Sequence, residues 1–343
     1  MKRVFQVILL IIQLLMATGI TFLWQTVTAD NSKIIIVPDD YQTIQEAIEA
    51  ATEGDTIYIR AGTYIERVSI IQKDSISIIG EGANVTVIKG PFEAVPQCFD
   101  AVITIIHSHN ILLKGFKIVP PESGGVEGGI YIVESSNCTI TKNIITGFTV
   151  SCGSFACKGL SAAIKMEGAT DNKIYENHIS DNHVGIDLGA TRAYSVYPTE
   201  NNLIYRNNFV NNNDHVRGPT NNIFLKGRRV DVGLQKNFWD NGYEGNYWDD
   251  YAGEDSDGDG LGDTPYIIEE ENIDHHPLVN PINFSWVRRA GEGASNYPPY
   301  ITIALITTVI IAAIGICIFA ARRSGFLKLR RKHSPKNLLH ISM

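Results

Sequence analysis

From Gly129 to Trp239 the chain states one pattern four times. Each repeat opens on an apolar pair: Ile130/Ile132, Ile164/Met166, Ile186/Leu188 and Ile223/Leu225. Each closes on an apolar–x–x–Asn–x–apolar run: Ile140–Asn143–Ile145, Ile174–Asn177–Ile179, Ile204–Asn207–Phe209 and Leu234–Asn237–Trp239. The asparagines fall 34, 30 and 30 residues apart, so the register survives insertions between the strands. Short alternating runs place side chains on opposite faces of short strands. No such run can bury its apolar face alone, so neighbouring repeats must supply the other side. The step from Ile164 to Ile186 is 22 residues, about one minimal coil of a parallel β-solenoid. Asparagine suits a corner between strands because it tolerates the left-handed conformation, and amides stacked in register bond to one another. A sandwich with Asn-rich turns gives no reason to keep Asn and Ile in columns. The expectation is an all-β solenoid with Asn143, Asn177, Asn207 and Asn237 along one edge.

The flanks of this region have a different composition. Lys2 and Arg3 precede an apolar run from Val4 to Trp24, and Val27 and Ala29 offer the small residues of a signal-peptidase site. The expectation is a signal peptide over 1–29, with an uncleaved signal anchor as the alternative. A second apolar stretch, 301–321, carries no charge over 21 residues. At about 1.5 Å per residue that spans roughly the 30 Å of a bilayer core. Arg322, Arg323, Lys328, Arg330, Arg331 and Lys332 follow it, which places the 322–343 tail in the cytoplasm and the preceding chain outside.

The sequence has 343 residues, 44% apolar and 19% charged, so a folded core is expected. The signal and tail hold nine of the 29 basic residues and none of the 37 acidic ones, leaving residues 30–299 with 20 against 37, a net −17. Such an ectodomain repels nucleic acid and concentrates cations. Four of the five cysteines, Cys98, Cys138, Cys152 and Cys157, would meet an oxidising environment. Cys152 and Cys157 bracket a short loop and are the preferred disulfide pair, with free buried thiols as the alternative. The sequons at Asn84, Asn137 and Asn283 fit an exported protein.

Pro38 to Ala51 reads as a helix. Thr43 and Glu46 form an S/T-x-x-E capping box, and Ile44, Ala47, Ile48 and Ala51 make one apolar face. Laid across the end of the solenoid, this helix would cover its first coil. Gly54-Asp55 ends it, and Thr56 to Arg60 alternates as the first strand.

The run Tyr41-Gln-Thr-Ile-Gln-Glu-Ala-Ile-Glu-Ala-Ala, followed by Gly54-Asp-Thr-Ile-Tyr-Ile and Gly62-Thr-Tyr, resembles the opening of exported right-handed parallel β-helix proteins of the pectin-lyase-like kind. The Asn-bearing repeats resemble the NosD-like branch of carbohydrate-binding and sugar-hydrolase-like (CASH-type) proteins. Gly245-Asn-Tyr-Trp-Asp-Asp-Tyr, with Asp255-Ser-Asp-Gly-Asp-Gly-Leu-Gly-Asp-Thr-Pro-Tyr, is similar to the ending found in that branch. The likeness covers about residues 37–280 and implies a right-handed parallel β-helix. The resulting plan is 1–29 signal, 30–55 N-terminal cap, 56–241 β-helix, 242–283 C-terminal cap, 284–300 stalk, 301–321 transmembrane helix and 322–343 basic tail.

Several groups of residues are candidates for binding. Asp255, Asp257 and Asp259, then Gly260, the Leu261 carbonyl and Asp263, have the spacing of a calcium loop. Position twelve is Tyr266 rather than the bidentate Glu of an EF-hand, so calcium here would be structural. Between the apolar pairs stands an outward column of Tyr131, Lys165, Asp187 and Phe224, and beside it another of Thr141, Tyr175, Tyr205 and Gln235. Coils lie about 4.8 Å apart, so Lys165 can meet Asp187 and Tyr175 can stack on Tyr205. Aromatics flanked by charges suit a sugar ring, while a salt bridge and a stabilising tyrosine ladder are the structural alternative. The loops at 119–129, 146–163, 180–185 and 210–222 fall on one corner by register, and a further excursion at 189–201 leaves from another. Long loops on a rigid scaffold commonly carry binding.

No catalytic set stands out. A glycosidase needs two carboxyls flanking the bond. Outward acids such as Glu167, Glu176, Asp181 and Asp187 exist, but no spacing makes them converge. The resemblance also implies copper handling, because NosD-type proteins resemble accessory factors of a copper enzyme. Copper would call for Cys, Met or His clusters. The sequence has four Met, and its close His pairs are His107/His109 and His275/His276. The reading favoured by the sequence is a membrane-anchored extracellular module that binds a glycan or other envelope component. A polysaccharide lyase or hydrolase is the alternative, and a copper-enzyme maturation factor the third.

Overall fold

The structure is a computed structural model. It describes residues 32–91, 101–122, 126, 128–149, 161–189, 197–218, 235–269 and 271–284, with the backbone of 223–225 and 228–230. The signal segment, Cys98, Cys152, Cys157, most of the stalk, the 301–321 stretch and the tail lie outside these residues.

Short strands recur in the order A, B, C around each coil, and like strands stack into three parallel sheets. Sheet A has seven strands, from Ile34–Val37 to Leu203–Tyr205, and sheet B seven, from Gly62–Ile65 to Tyr247–Trp248. Sheet C has six, from Val68–Ile71 to Asp214–Arg217. Pairing along all three is parallel. The inward residues stack like on like, with Ile103, Ile130, Ile164, Ile186 and Val216 forming one such column. These Ile columns and their partners in the other sheets form one continuous core. The parallel β-helix expected from the repeats is therefore the fold.

The corners are held by side-chain amides. At the A/B corner Asn143 donates through its backbone and its Nδ2 to Asn177 Oδ1, both at 3.1 Å. Asn177 does the same to Asn207, and Asn207 to Asn246. A second ladder at the C/A corner runs from Asn172 through Asn202 and Asn237 to Asn272. A third, Asn182 to Asn212, holds the B/C corner. The expectation of four aligned asparagines is thus corrected. Asn143, Asn177 and Asn207 share one edge, but Asn237 belongs to the C/A ladder and Asn246 takes its place.

The reason lies in the fourth repeat. The sheet C strand there is Asp214–Arg217, and its Val216 pairs with Ile186. Ile223–Leu225 instead pairs antiparallel with Arg228–Val230. Asp214-His215-Val216-Arg217 carries one inward aliphatic residue, so it lacks the apolar pair that marks the other coils. The long insertion of this coil therefore follows sheet C, between Arg217 and Asn237, rather than preceding it. The tolerance for left-handed backbone also sits elsewhere. The positive-φ residues at the A/B corner are Lys142, Glu176 and Arg206, with φ of 56°, 54° and 53°, each just before the ladder asparagine.

The N-terminal cap carries the expected box on a shorter helix, Ile44–Ala50 (α1). The Glu46 N–H donates to Thr43 Oγ1 at 3.1 Å, and the Thr43 N–H to Glu46 Oε2 at 3.2 Å. The Glu66 carboxylate also accepts from the N–H groups of Ile44 and Gln45, both at 3.1 Å. Ile44, Ala47 and Ile48 are buried on the core. A strand that sequence reading passed over, Ile34–Val37, precedes α1 and pairs with Thr56–Ile59.

At the other end aromatic rings close the core. Trp248 stacks between Phe209 and Tyr266 with centroids 4.4 Å away on each side. The A/B ladder ends on a carboxyl, as Asp274 Oδ2 accepts from the Asn246 N–H at 2.7 Å and from Trp248 Nε1 at 2.9 Å. Burial outweighs these donors and raises the Asp274 pKa to about 6. A carboxyl raised in this way holds its proton in the folded protein after the unfolded chain has lost it. Its stabilisation is complete below about pH 4 and is lost as pH rises through about 6. The unfolding free energy of the wild type relative to Asp274→Asn should therefore fall by about 2–3 kcal/mol between pH 4 and 7. Denaturant titrations across that range check it, and parallel pH curves would contradict it.

Candidate functional site

Two outer faces carry the residues singled out in the sequence. On sheet C, Tyr131, Lys165 and Asp187 occupy one register position of successive coils. The fourth member is Arg217, not Phe224, because Asp187 pairs with Arg217. The Lys165 ammonium lies 5.2 Å from the Tyr131 ring centre, and the Tyr131 hydroxyl donates to Glu167 Oε2. Arg217 Nη2 donates to Asp187 Oδ2, and Asp187 Oδ1 accepts from the Gly189 N–H at 2.9 Å. The expected contact of Lys165 with Asp187 is thus one of register, while the ion pair goes to Arg217. Tyr131, Lys165, Glu167 and Asp187 are all 2% exposed or less. This column is an internal polar cluster rather than an open face.

Sheet A is more accessible. Lys114, Thr141, Tyr175 and Tyr205 stand in one register column, and the two tyrosine rings stack at 5.2 Å with an 18° interplanar angle. Mutual stacking uses one face of each ring, so the pair offers ring edges and two hydroxyls to a ligand. Burial and the neighbouring Tyr175 and Glu176 raise the Tyr205 pKa, which keeps its hydroxyl protonated as a donor. Gln235 does not continue the column, because Leu203 pairs with Phe238 and the next rung is set five residues later than the repeat spacing implies.

The left-handed corner residues border the strip with alternating charge. Lys142 Nζ lies 3.4 Å from Glu176, Arg206 Nε lies 3.8 Å from Glu176, and Arg206 Nη1 also pairs with Glu244. Two exposed aromatics lie further along: Phe238, 46% exposed, bridges Leu203 on the next rung of sheet A, and Tyr243, 80% exposed, lies in the turn that precedes Gly245. Tyr243 sits in a tight turn, where Asn241 Oδ1 accepts from the Tyr243 and Glu244 N–H groups, both at 2.9 Å. The Asn-Gly step at 241–242 was the available signal, since it marks a turn that holds its side chains outward.

In the C-terminal cap, ligand oxygens of Asp255, Asp257 and Asp259 lie within 4.8 Å of one another. Gly258 and Gly260 take φ of 75° and 92°, which lets the chain turn tightly around them. Asp255 Oδ1 accepts from the Gly258 N–H at 2.8 Å and the Asp259 N–H at 3.1 Å. The Asp263 carboxylate is bonded by the Ser256 hydroxyl and by the Ser256 N–H at 2.9 Å, and both bonds lower its pKa. Leu261 forms an antiparallel bridge with Leu278. The sequons are at the surface: Asn137 and Asn283 are exposed and Asn84 is half-buried. Cys138 is fully buried, and burial raises its thiol pKa to about 11. It is an inert core thiol at the head of the C/A ladder.

Residues 122–253 match the family described as "Periplasmic copper-binding protein (NosD)". The resemblance to NosD-like proteins holds over this part of the chain. No curated protein sequence matches. Among solved structures, an alginate lyase from Paenibacillus sp. is 16% identical over 52% of this chain and 58% of its own, with a TM-score of 0.39. A pectin methylesterase in complex with a hexasaccharide is 14% identical over 60% and 77%, with a TM-score of 0.40. Carrot pectin methylesterase is 18% identical over 54% and 64%, with a TM-score of 0.32. The chain spans little more than half the length of that lyase.

The copper named in the family description meets no soft ligand set among the described residues. Their sulfur atoms belong to Met166, buried in the core, and Cys138, whose Sγ faces the carbonyls of Ser136 at 3.4 Å and Ser108 at 3.7 Å. His107 and His109 do not act as a pair: His107 lies 3.3 Å from Glu134, and His109 bonds Ser136 at 2.8 Å. These residues do not fit copper(I), which prefers thiolate and thioether ligands.

The buried Asp187 depends on Arg217. Arg217→Ala would leave a fully buried carboxylate without its cation and should lower the unfolding free energy by about 3–5 kcal/mol. Thermal and denaturant unfolding of the variant checks this, and a change below about 1 kcal/mol would show that the pair is dispensable.

Proposed function

We propose that this chain is an exported, membrane-anchored β-helix module that binds carbohydrate or a related envelope component along the outer face of sheet A. The observation carrying this reading is the half-exposed Tyr175–Tyr205 stack, bordered by the Lys142–Glu176–Arg206–Glu244 ion ladder, with Phe238 on the next rung and Tyr243 exposed in the turn beside Glu244. Ring edges, phenol hydroxyls and alternating charges on a rigid surface match the C–H and hydroxyl groups of a sugar chain. The net −17 of residues 30–299 favours a neutral or basic glycan over a strongly anionic one. Export through the 1–29 segment, anchoring by 301–321 and a cytoplasmic tail belong to the same reading and rest on the sequence. Among the described residues no helix is long and apolar enough to cross a membrane.

A polysaccharide-cleaving enzyme is the second reading, supported by the acids Glu167 and Asp187 near one another on sheet C. Against it, both are already engaged, Glu167 by Tyr131 and Asp187 by Arg217. In the cap, we assign structural calcium to the loop of Asp255, Asp257 and Asp259. Oxygen ligands at alternating positions around glycines suit this ion, and it would offset the repulsion between the three carboxylates.

A glycan array probed with the full chain, with and without calcium and with product analysis, tests the reading. Binding to a glycan set should weaken about tenfold, or ~1.4 kcal/mol, in Tyr205→Ala and in Tyr243→Ala. A silent array, or binding untouched by both changes, would remove the basis for a sheet A site. Shortened glycan products that disappear in Asp187→Asn would favour the enzyme. Calcium should raise the Tm of the wild type and leave Asp257→Asn unmoved, and an equal response in both would reduce the loop to a turn.

A further inference from the structure

A second group of side chains converges at the C-terminal end of the helix, built from residues outside the tyrosine strip and the Asp-rich loop. His215 lies on the last sheet C strand, 8% exposed, with its ring against Phe209 and Trp248 at centroid distances of 6.0 and 5.8 Å. Its Nε2 is 2.8 Å from Asp249 Oδ1 and 3.3 Å from Asp250 Oδ1. Ligand atoms of all three residues lie within 4.8 Å of one another.

Consecutive residues of a strand point to opposite faces. Asp249 and Asp250 reach the same point because the strand Tyr247–Trp248 stops there and turns, the Tyr251 N–H donating to the Trp248 carbonyl at 3.1 Å. Each ligand is also held from behind. The Asn211 N–H donates to Asp249 Oδ2 at 2.5 Å, the Tyr266 hydroxyl donates to Asp250 Oδ2 at 3.2 Å, and the Asn212 amide lies 3.4 Å from His215 Nδ1. The group opens onto a cleft of about 450 Å³ that Asp214 and Asn213 also line, with no lysine or arginine among its lining residues.

A histidine–carboxylate hydrogen bond needs one acceptor, whereas here two carboxylates are aimed at one ring nitrogen. We propose that His215, Asp249 and Asp250 bind a divalent cation of the zinc or manganese class. Calcium takes oxygen ligands, so the imidazole nitrogen shifts the preference toward a borderline metal. Three protein ligands with their outer atoms anchored leave at least one coordination position facing the cleft, as in metal sites that hold a water or a ligand oxygen. The site takes up no residue of the sheet A strip, so it stands or falls apart from glycan binding.

The test uses the full-length protein, stripped with chelator and kept in excess calcium so that the Asp-rich loop does not compete. Zinc titrated by calorimetry should bind with one equivalent. Asp250→Asn, at an exposed position, should weaken it at least tenfold, whereas Asp257→Asn should leave it unchanged. Cobalt(II) should give visible absorption bands that Asp250→Asn and His215→Gln abolish, with circular dichroism confirming that each variant is folded. No zinc uptake in calcium buffer would overturn the site, as would uptake equally strong in folded Asp250→Asn or sensitive to Asp257→Asn.

Discussion

The structure depends on buried amides stacked at the corners of its coils. A parallel β-helix satisfies most backbone groups within its sheets, but at each corner the chain leaves one sheet before entering the next. Unpaired N–H groups there would be costly inside the protein. From Asn143 onward, one asparagine at each laddered corner answers this on both sides. Asn177 Oδ1 accepts two donors from Asn143, and Asn177 Nδ2 donates to the Ile140 and Tyr175 carbonyls and to Asn207 Oδ1. The backbone kink is taken by the residue before, so Lys142, Glu176 and Arg206 carry the strained conformation and present their charges outward. The same corner thus sets the interior ladder and the exterior ion ladder.

That coupling explains where binding chemistry can stand. Inward columns are filled by Ile, Leu, Phe and Trp, and ladders fill the corners, which leaves outer faces and insertions for recognition. On sheet C the outward column is buried and its charges are paired internally. Sheet A keeps its tyrosines half-exposed. At the C-terminal end the ladder meets Asp274 and the Phe209–Trp248–Tyr266 stack, and beyond it the chain is freed from strict repetition. The Asp-rich loop and the His215 group both lie in this region.

Much of this was legible in the sequence. The stacked solenoid coils, the capping box of Thr43 and Glu46, and the stacking of Tyr175 on Tyr205 all follow from spacing. The fourth repeat was misread because Asp214–Arg217 is a strand without an apolar pair, while Ile223–Leu225 has the pair but forms a hairpin. One shifted rung displaced Asn237, Phe224 and Gln235 together. Burial of Lys165 and Asp187 was not legible, because spacing shows which face a side chain takes but not what covers it. The meeting of His215 with Asp249 and Asp250 had no local signal. It joins residues more than thirty positions apart through a coil register that the misread repeat had obscured.

The most direct measurement is the unfolding free energy of Asn207→Ala set beside that of Tyr205→Ala, two positions away on the exterior. Removing the Asn207 amide leaves the buried Asn177 N–H without its acceptor, takes one of three acceptors from Asn177 Nδ2 and takes one of two donors from Asn246 Oδ1. If amide ladders hold the coils together, Asn207→Ala loses about 2–4 kcal/mol or fails to fold, and Tyr205→Ala loses about 1 kcal/mol or less. Equal small losses at both positions would mean that the aliphatic columns suffice and that the ladders are passengers.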